Sequence, residues 1–245
     1  MALEQNFDTF IFVPAYNVGE RLWDVLGKVS RSVKKRSRIL VVDDGSKDQT
    51  GEVAQRIVSQ SADNGLNIAY IRFEKNRGYG AVVKEGIRQG LESGAKYIAC
   101  LHGDNQYPAE YLDEFLAAME CHPLALLQGS RCAIDGDAKK GGMPLHKRIG
   151  GAFLTSLENL VYSQRLTDRH SGFLVYSSDF LKTVDLEKLS PSFDIDLELI
   201  SIADAANVPV AELPIPTRYS GEKSNLSVVD YGIRVIGQII RRIFR

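Results

Sequence analysis

The chain has 245 residues, of which 44% are hydrophobic and 25% charged, and its formal net charge is −1. These values are typical of a soluble globular protein with one large domain, and the near-neutral charge gives no indication of a nucleic-acid partner. The three cysteines, Cys100, Cys121 and Cys132, are odd in number and widely spaced, which argues against a disulfide framework or a zinc site.

Residues 10–101 alternate apolar runs with segments of helical spacing. We expect strands at 10–13, 38–42, 68–73 and 97–101, with helices at 20–32, 51–61 and 81–93. Because the strands are continuous apolar runs, the pattern predicts an α/β fold with a mostly parallel central sheet and helices on both faces.

Beyond Pro108 the pattern is less regular. We expect helices at 111–119, 149–162 and 196–207, and strands at 124–128, 172–176 and 210–219. The glycine-rich segment 132–145 is expected to be a mobile loop. One domain over residues 1–225, followed by a C-terminal helix over residues 226–245, is the simplest account.

The C-terminal segment is basic and amphipathic. Its polar stripe consists of Arg234, Gln238, Arg241 and Arg245, and isoleucines fill much of the remaining surface. Such a helix can lie in a membrane interface, dock on the protein's own core or bind a partner, and the sequence leaves these open. The N-terminus has no secretory signal pattern, and no apolar run reaches the ~18–20 residues of a membrane span. We expect a cytoplasmic protein that contacts the membrane peripherally.

Polar or glycine-rich segments follow four predicted strands, at residues 14–17, 43–46, 76–78 and 102–106. The carboxyl ends of parallel strands meet at one edge of a sheet, where ligands bind. These segments are therefore expected to build one site.

Two of these segments carry clustered polar side chains. Asp43 and Asp44 need compensation by a cation or hydrogen-bond donors, as in a nucleotide-binding loop, although a solvated turn is the alternative. His102, Asp104 and Gln106 occupy alternate positions and would point the same way in an extended segment. Such a set suits Mg²⁺ or Mn²⁺ carrying a diphosphate, and a polar turn is again the alternative.

Residues 76–80 form a glycine-containing loop that either lets the backbone approach a phosphate or simply starts a helix. Neither the P-loop nor the GxGxxG pattern is present, which disfavours an ATPase, a GTPase or a Rossmann oxidoreductase.

Taken in order, these segments resemble the motifs of family 2 glycosyltransferases, in particular the polyprenol-phosphate branch. The matching segments are Val13-Pro14-Ala15-Tyr16-Asn17, Asp43-Asp44-Gly45-Ser46-Lys47-Asp48-Gln49-Thr50, Asn76-Arg77-Gly78-Tyr79-Gly80-Ala81, Gly103-Asp104-Asn105-Gln106-Tyr107-Pro108, Ser171-Gly172-Phe173 and Ile215-Pro216-Thr217-Arg218-Tyr219 with Lys223-Ser224.

The resemblance implies a GT-A fold, a nucleotide-sugar donor and inversion at the anomeric carbon. It implies that Asp104 and Gln106 serve the metal and diphosphate. His102 stands where the family's DxD motif has its first acid, and it either ligates the metal, donates to a phosphate or takes no part. Imidazole is a better ligand for Mn²⁺ than for Mg²⁺. The nucleotide-binding residues implied are Pro14, Tyr16, Glu20, Asp43, Asp44, Asn76 and Gly78.

The acceptor side depends on the chemistry of the acceptor. A hydroxyl acceptor needs a general base, for which Asp168 is the best-placed candidate, with Asp194 and Asp196 as alternatives. A phosphate acceptor is already largely ionised and needs cations instead. The candidate cations are Arg131, Lys147, Arg148 and Arg218. Asp168, Asp104 and Arg131 are the candidate catalytic residues.

The leading hypothesis is a metal-dependent, inverting hexosyltransferase that uses a UDP- or GDP-sugar and a polyprenyl phosphate, such as dolichyl or undecaprenyl phosphate. One alternative is a family 2 transferase with a saccharide or other hydroxyl acceptor in cell-surface polysaccharide synthesis. Another is a protein that binds a nucleotide sugar without catalysis, which the histidine at position 102 motivates.

Overall fold

The structure is a computed structural model that describes residues 7–134, 137–216 and 228–244. The described strands are β1 (Thr9–Ala15), β2 (Ser37–Asp43), β3 (Asn67–Arg72), β4 (Tyr97–Cys100), β5 (Leu126–Ser130), β6 (Leu174–Ser177) and β7 (Val210–Pro214). The described helices are α1 (Arg21–Lys28), α2 (Arg31–Arg36), α3 (Thr50–Asp63), α4 (Tyr79–Glu92), α5 (Leu112–Cys121), α6 (Asp137–Lys140), α7 (Leu145–Val161), α8 (Ser178–Leu181), α9 (Ile195–Ala205) and α10 (Val228–Ile243).

The strands form one sheet in the order β3-β2-β1-β4-β6-β5-β7. β1 pairs in parallel with β2 and β4, β2 with β3, and β5 with β7, whereas β6 is antiparallel to both β4 and β5. The prediction of a mostly parallel sheet is confirmed. The reversal of β6 was not predicted, because a short apolar run does not encode its own direction.

Successive residues of β1 pack on opposite faces of the sheet, as the alternation of side chains along a strand requires. Ile11 and Val13 pack with α1, α2, α3 and α5, whereas Phe10 and Phe12 pack with α4, α8 and α9. The prediction of helices on both faces is confirmed.

The single helix expected over residues 20–32 is wrong. Helix α1 ends at Lys28 because Val29 is extended, with a ψ of 127°. Ser30 then accepts a 3.2 Å hydrogen bond from the backbone N–H of Val33 and caps α2. The apolar spacing that continued to Val29 concealed this break.

Two further expectations need correction. The segment predicted as a loop over residues 132–145 contains the short helix α6, and its residues 135–136 lie outside the described ranges. Strand β7 ends at Pro214, earlier than the predicted end at residue 219, which is itself outside the described part of the chain.

Helix α10 docks on the domain. Val235 and Ile239 are buried against Leu197 of α9 and against Tyr162, the residue that follows α7. The proposed boundary near residue 225 lies outside the described residues. Among the described helices, none combines the length and the apolar character needed to cross a bilayer.

Candidate functional site

The polar segments picked out in the sequence meet at one edge of the sheet. Strands β1, β2, β3, β4, β5 and β7 all run towards this edge, and the reversed β6 starts there. The segment 165–173, which leads into β6, therefore joins the loops that leave the other strands.

The carboxylate of Asp43 fixes the turn that follows β2. Asp43 is fully buried, and its Oδ1 accepts a 2.8 Å hydrogen bond from the N–H of Ser46. Its Oδ2 accepts a 2.9 Å bond from the hydroxyl of Tyr70 and lies 3.7 Å from Nε of Arg72. Hydrogen-bond donors and one cation thus supply the compensation that a buried carboxylate needs.

The carboxylate of Asp44 ties this turn to the loop before α4. Its Oδ1 accepts from the N–H of Arg77 at 2.6 Å, and its Oδ2 accepts from the N–H of Gly78 at 3.0 Å. Burial raises the pKa of Asp44, while these two N–H groups act in the opposite direction. The N–H of Gly78 is therefore used within the protein, which the interpretation of this loop as a phosphate cradle did not foresee.

Close backbone contact accompanies this link. Gly45 has a φ of +71°, and a Cβ there would lie 2.7 Å from the carbonyl carbon of Lys75. Only glycine fits both the conformation and the space, so the two loops are held in contact.

An open cleft of about 710 Å³ lies above these loops. Its lining residues are Tyr16, Gly45, Ser46, Lys47, Asp48, Arg72, Glu74, Lys75 and Asn76. Two hydrogen bonds cross-link the cleft wall: Ser46 Oγ accepts from the N–H of Asn17 at 2.9 Å, and Arg72 Nη2 donates to the carbonyl of Ser46 at 2.6 Å. The lining contains one aromatic ring and three cations, which suit a nucleoside diphosphate, together with two carboxylates, Asp48 and Glu74.

The structure places the predicted nucleotide-binding residues unequally around this cleft. Tyr16 and Asn76 line it, and Asp43 and Asp44 organise its wall. Pro14 lies in β1, where its carbonyl accepts from the N–H of Gly103 at 3.0 Å. Glu20 is exposed and binds Arg56 Nη2 at 2.7 Å, without lining the cleft.

Residues 103–105 after β4 form a turn. Asn105 has a φ of +64°, and Asp104 Oδ1 accepts from the N–H of Gln106 at 3.1 Å. Lys28 Nζ donates to Asn105 Oδ1 at 2.6 Å and holds the turn in place. The segment is therefore a polar turn, the alternative that the sequence offered, and the condition under which alternate side chains would point the same way is not met.

His102 is directed towards the protein interior. Its Nε2 lies 3.2 Å from the hydroxyl oxygen of Tyr79. A Cβ on Gly172 would lie only 2.5 Å from the same atom, so the ring packs directly on that backbone. Burial is the largest influence on His102 and lowers its pKa, which favours the neutral imidazole.

Arg131 and Asp168 form a bidentate ion pair at the same sheet edge. Arg131 follows β5, and Asp168 lies in the segment that leads into β6. Arg131 Nε lies 2.7 Å from Asp168 Oδ2, and Arg131 Nη2 lies 3.0 Å from Oδ1. The N–H groups of Arg131 and His170 also donate to this carboxylate, at 3.2 and 3.0 Å. Burial alone would raise the pKa of Asp168, but the charge and hydrogen bonds of Arg131 prevail and the pKa is lowered.

Two of the other predicted cations lie on helix α7. Lys147 and Arg148 lie on the first turn of α7, and both are half-buried. Partial burial and the Asp168 carboxylate raise the pKa of the Cys132 thiol, and the charges of Arg131 and Arg148 act to lower it. Arg218 lies outside the described residues.

The two alternative carboxylates are both engaged. Asp194 Oδ1 accepts from Ser190 Oγ at 2.6 Å, and its Oδ2 accepts from Gln238 Nε2 of α10 at 3.1 Å. Asp196 accepts from the hydroxyls of Tyr79 and Tyr176, at 2.9 and 3.2 Å. Burial raises the pKa of Asp196 to about 7.

Asp104 is the residue here that best fits a divalent cation. It is half-buried, and among the described residues its Oδ2 has no hydrogen-bond partner. No three His, Cys, Asp or Glu side chains converge as a metal site within the described ranges. A cation bound by Asp104 would thus need ligands from Gln106 or from a substrate.

Sequence reasoning missed several residues of this region. Tyr79 and Tyr107 carry the contacts that join distant segments, and Tyr107 Oη accepts from the N–H of Gly172 at 2.8 Å. Arg72 and Lys75 line the cleft. The position of Arg72 at the carboxyl end of a predicted strand was a usable signal. The two tyrosines stand in the matched segments 76–81 and 103–108, but those segments do not indicate their distant partners.

Comparisons with known proteins agree with this architecture. Residues 10–185 match the model of Glycosyl transferase family 2, which covers more than half of the chain. The chain belongs to this family of glycosyltransferases.

Two curated relatives match most of the chain. The UDP-N-acetylglucosamine--dolichyl-phosphate N-acetylglucosaminyltransferase of Methanococcus voltae is 25% identical, over 86% of this chain and 86% of its own length. The polyprenol monophosphomannose synthase of Mycolicibacterium smegmatis is 25% identical, over 92% of this chain and 87% of its own length.

Among solved structures, the mannosyltransferase PcManGT from Pyrobaculum calidifontis, in complex with GDP-Man and Mn²⁺, has a TM-score of 0.65 at 12% identity. The match covers 96% of this chain and 64% of that one. At this identity the likeness concerns the fold, and it confirms the predicted GT-A architecture.

Proposed function

We propose that this protein transfers a hexose from a UDP- or GDP-sugar to a polyprenyl phosphate, with inversion at the anomeric carbon. The curated relatives named for transfer to dolichyl phosphate and for synthesis of polyprenol monophosphomannose support this class of acceptor. The cleft above Asp43 and Asp44 is proposed to hold the nucleoside diphosphate, with Tyr16 against the base or ribose.

The occupied carboxylate of Asp168 is the observation that carries the choice of acceptor. Both of its oxygens accept hydrogen bonds from Arg131, and its pKa is held below the ordinary value. A carboxylate in this state is a poor proton acceptor. A phosphate oxygen needs no base, because it is already ionised, so we assign Asp168 the role of positioning Arg131.

In the proposed reaction, an oxygen of the acceptor phosphate attacks the anomeric carbon while the bond to the nucleoside diphosphate breaks. Arg131, Lys147 and Arg148 are proposed to bind the acceptor phosphate, and Arg218, outside the described residues, is proposed to act with them. Charge-assisted hydrogen bonds from guanidinium groups suit phosphate oxygens.

Asp104 and Gln106 are proposed to hold Mg²⁺ or Mn²⁺ at the diphosphate. A bound divalent cation supplies Lewis-acid neutralisation of charge on the departing group. His102 is proposed to hold its place beside Tyr79. A ligand role for His102 would require its Nε2 to leave Tyr79, or its other ring nitrogen to be used.

The donor half is tested by thermal shift with UDP, GDP, CDP and dTDP, each with Mg²⁺, Mn²⁺ or EDTA. A nucleotide at one hundred times its dissociation constant stabilises the folded state by roughly 2.7 kcal/mol. We expect a metal-dependent shift with UDP or GDP, which Asp104→Asn removes. Asp63→Asn, an exposed acid at the end of α3, is the matched control and should keep the shift.

The acceptor half is tested by transfer to a short-chain polyprenyl phosphate and, separately, to saccharide acceptors. We expect product with the phosphate, and Asp168→Asn should leave part of that activity. Transfer to saccharides alone, abolished by Asp168→Asn, would refute the proposal in favour of the hydroxyl-acceptor alternative. Donor binding with neither transfer nor donor hydrolysis would indicate a protein that binds without catalysis.

Peripheral contact with a membrane through α10 belongs to this proposal, because a polyprenyl phosphate resides in a bilayer. This contact is proposed to be on the cytoplasmic face, where nucleotide sugars are made.

A further inference from the structure

Exposed large hydrophobic side chains are confined to two segments of the described chain. They are Ile134, Leu145, Ile149, Phe153, Leu160, Ile233, Ile236, Ile240, Ile243 and Phe244, with exposures between 44% and 84%. Scattered exposed hydrophobics are ordinary on a soluble protein, but their confinement to residues 134–160 and 233–244 is not.

On each of two helices these side chains form one stripe. In α7 they recur at residues 145, 149, 153 and 160, and in α10 at residues 233, 236, 240 and 243. Both spacings keep the side chains on one side of a helix. We call these two stripes together the apolar face.

The fold does not need the apolar face for its own packing. The opposite sides of the two helices already bury Leu154, Leu157 and Val161 of α7 against Val235 and Ile239 of α10. On a surface helix with one side in the core, the other side is ordinarily polar. An apolar outer side on both helices therefore indicates something that covers it.

The charges around the apolar face indicate what covers it. Residues 137–161 contain four Lys or Arg and two acids, and residues 228–245 contain four Arg and one Asp, in a chain of net charge −1. Arg234 and Arg241 border the stripe of α10, and Arg148 borders that of α7. Apolar stripes bordered by cations suit an anionic bilayer surface, whereas two copies of this face would juxtapose like charges.

The inner sides of both helices contact the acceptor side of the candidate site. Tyr231 of α10 places its hydroxyl 2.9 Å from His170 Nδ1, and the N–H of His170 donates to Asp168. Glu158 of α7 lies 3.3 Å from His170 Nε2. One histidine thus connects both helices to the loop that holds Arg131.

We propose that α7 and α10 together form a docking surface for an anionic lipid bilayer, with α7 as an equal partner of the C-terminal helix. The inference deepens the proposed function, since a bilayer would supply the acceptor. Its first test needs neither donor nor acceptor, so its failure is distinguishable from failure of the transfer reaction.

The test is sedimentation of the full chain with vesicles of phosphatidylcholine, with and without phosphatidylglycerol and free of polyprenyl phosphate. The α7 variant is Ile149→Glu with Phe153→Glu, and the α10 variant is Ile236→Glu with Ile240→Glu. The matched control is Gln55→Glu with Gln60→Glu, two exposed positions of α3 that receive the same added charge. Glutamine versions of both helix variants replace any that fail to fold.

We expect the wild type and the control to bind vesicles that contain phosphatidylglycerol. Each helix variant should bind roughly 100-fold more weakly, because every large apolar side chain withdrawn from lipid costs about tenfold or more. If the α7 variant binds these vesicles as tightly as the wild type does, α7 has no role in docking and the proposal is overturned. A wild-type dimer that the variants dissociate, without vesicle binding, would identify the face as a contact between copies instead.

A second readout separates docking from chemistry. Transfer to a water-soluble, short-chain acceptor should be unchanged in both helix variants, whereas transfer to a long-chain acceptor in vesicles should fall with vesicle binding. Equal loss with both acceptors would overturn the assignment of these side chains to the bilayer.

Discussion

The hydroxyl of Tyr79 donates a 2.9 Å hydrogen bond to Oδ2 of Asp196 and joins the start of α4 to the first turn of α9. The same hydroxyl lies 3.2 Å from His102 Nε2, so the buried carboxyl and the imidazole share one tyrosine. Burial raises the pKa of Asp196 to about 7, which makes this contact sensitive to pH.

The first prediction concerns stability as a function of pH. Between its ordinary pKa of 3.8 and about 7, Asp196 is ionised in the unfolded chain and protonated in the folded one. Its contribution is therefore fully present below pH 3.8 and is lost progressively as pH rises from 3.8 to about 7, by up to roughly 4 kcal/mol. Urea unfolding at several pH values should show that Asp196→Asn removes this part of the slope. Asp179→Asn, at an exposed acid, should leave the slope intact, and an unchanged slope in Asp196→Asn would contradict the assignment.

The second prediction concerns the contact between Gly172 and His102. Gly172→Ala introduces a Cβ about 2.5 Å from His102 Nε2, so the imidazole must move. We expect a loss of roughly 1–3 kcal/mol, measured by urea unfolding, together with a weaker metal-dependent nucleotide shift. Gly27→Ala in α1 has open space around the new methyl group and should be neutral or stabilising. Equal stability of the two variants would show that the ring is not held there.

The third prediction concerns the ion pair of Arg131 and Asp168. Arg131→Ala leaves a buried carboxylate without its cation, which should destabilise the fold by roughly 3–5 kcal/mol. Arg131→Ala combined with Asp168→Asn should recover part of this loss, since no charge then remains buried. A double variant no more stable than the single one, by urea unfolding, would argue against the pairing.

The same pair predicts a behaviour in acid. Because the pKa of Asp168 is lowered in the folded state, its stabilising contribution is present above the ordinary value of 3.8 and is lost as pH falls through the lower folded pKa. The difference in free energy of unfolding between the wild type and Asp168→Asn should therefore shrink only in that acidic range. A difference that shrinks already near neutral pH would contradict a lowered pKa.

The fourth prediction concerns Asp44 as the link between two loops. In Asp44→Asn, one carboxylate oxygen is replaced by an N–H₂ group that faces an N–H donor of Arg77 or Gly78. We expect a loss of roughly 1–3 kcal/mol and weaker nucleotide binding, since the wall of the cleft loses its support. Calorimetry with the nucleotide identified by thermal shift measures the second effect. Unaltered nucleotide affinity would exclude the loop link from a role in binding.

Much of the sheet was predictable because several of its strands are continuous apolar runs in the sequence. Residues 10–13 and 38–42 could only be buried strands, and the polar segments after them had to meet at one edge. Local pattern failed where two residues decide the outcome, as at Val29 and Ser30, where an extended residue and a cap divide one apparent helix.

The long-range contacts of the site were beyond any local pattern. Arg131 and Asp168 are 37 positions apart, and Tyr79 and Asp196 are 117 apart. A single sequence names the ionisable groups but gives no distances between them. It therefore presented Asp168 as an open base, whereas the structure places a guanidinium on it.

The reversed strand β6 has a consequence for how such a protein can diversify. The chain leaves β5 and enters β6 at the same sheet edge, so residues 131–173 form a closed excursion that begins and ends beside the site. An excursion of this kind can lengthen, shorten or be exchanged without shifting the register of the parallel strands. Under the proposed function, acceptor preference can change through this excursion while the proposed donor half, built on β1 to β4, keeps its structure.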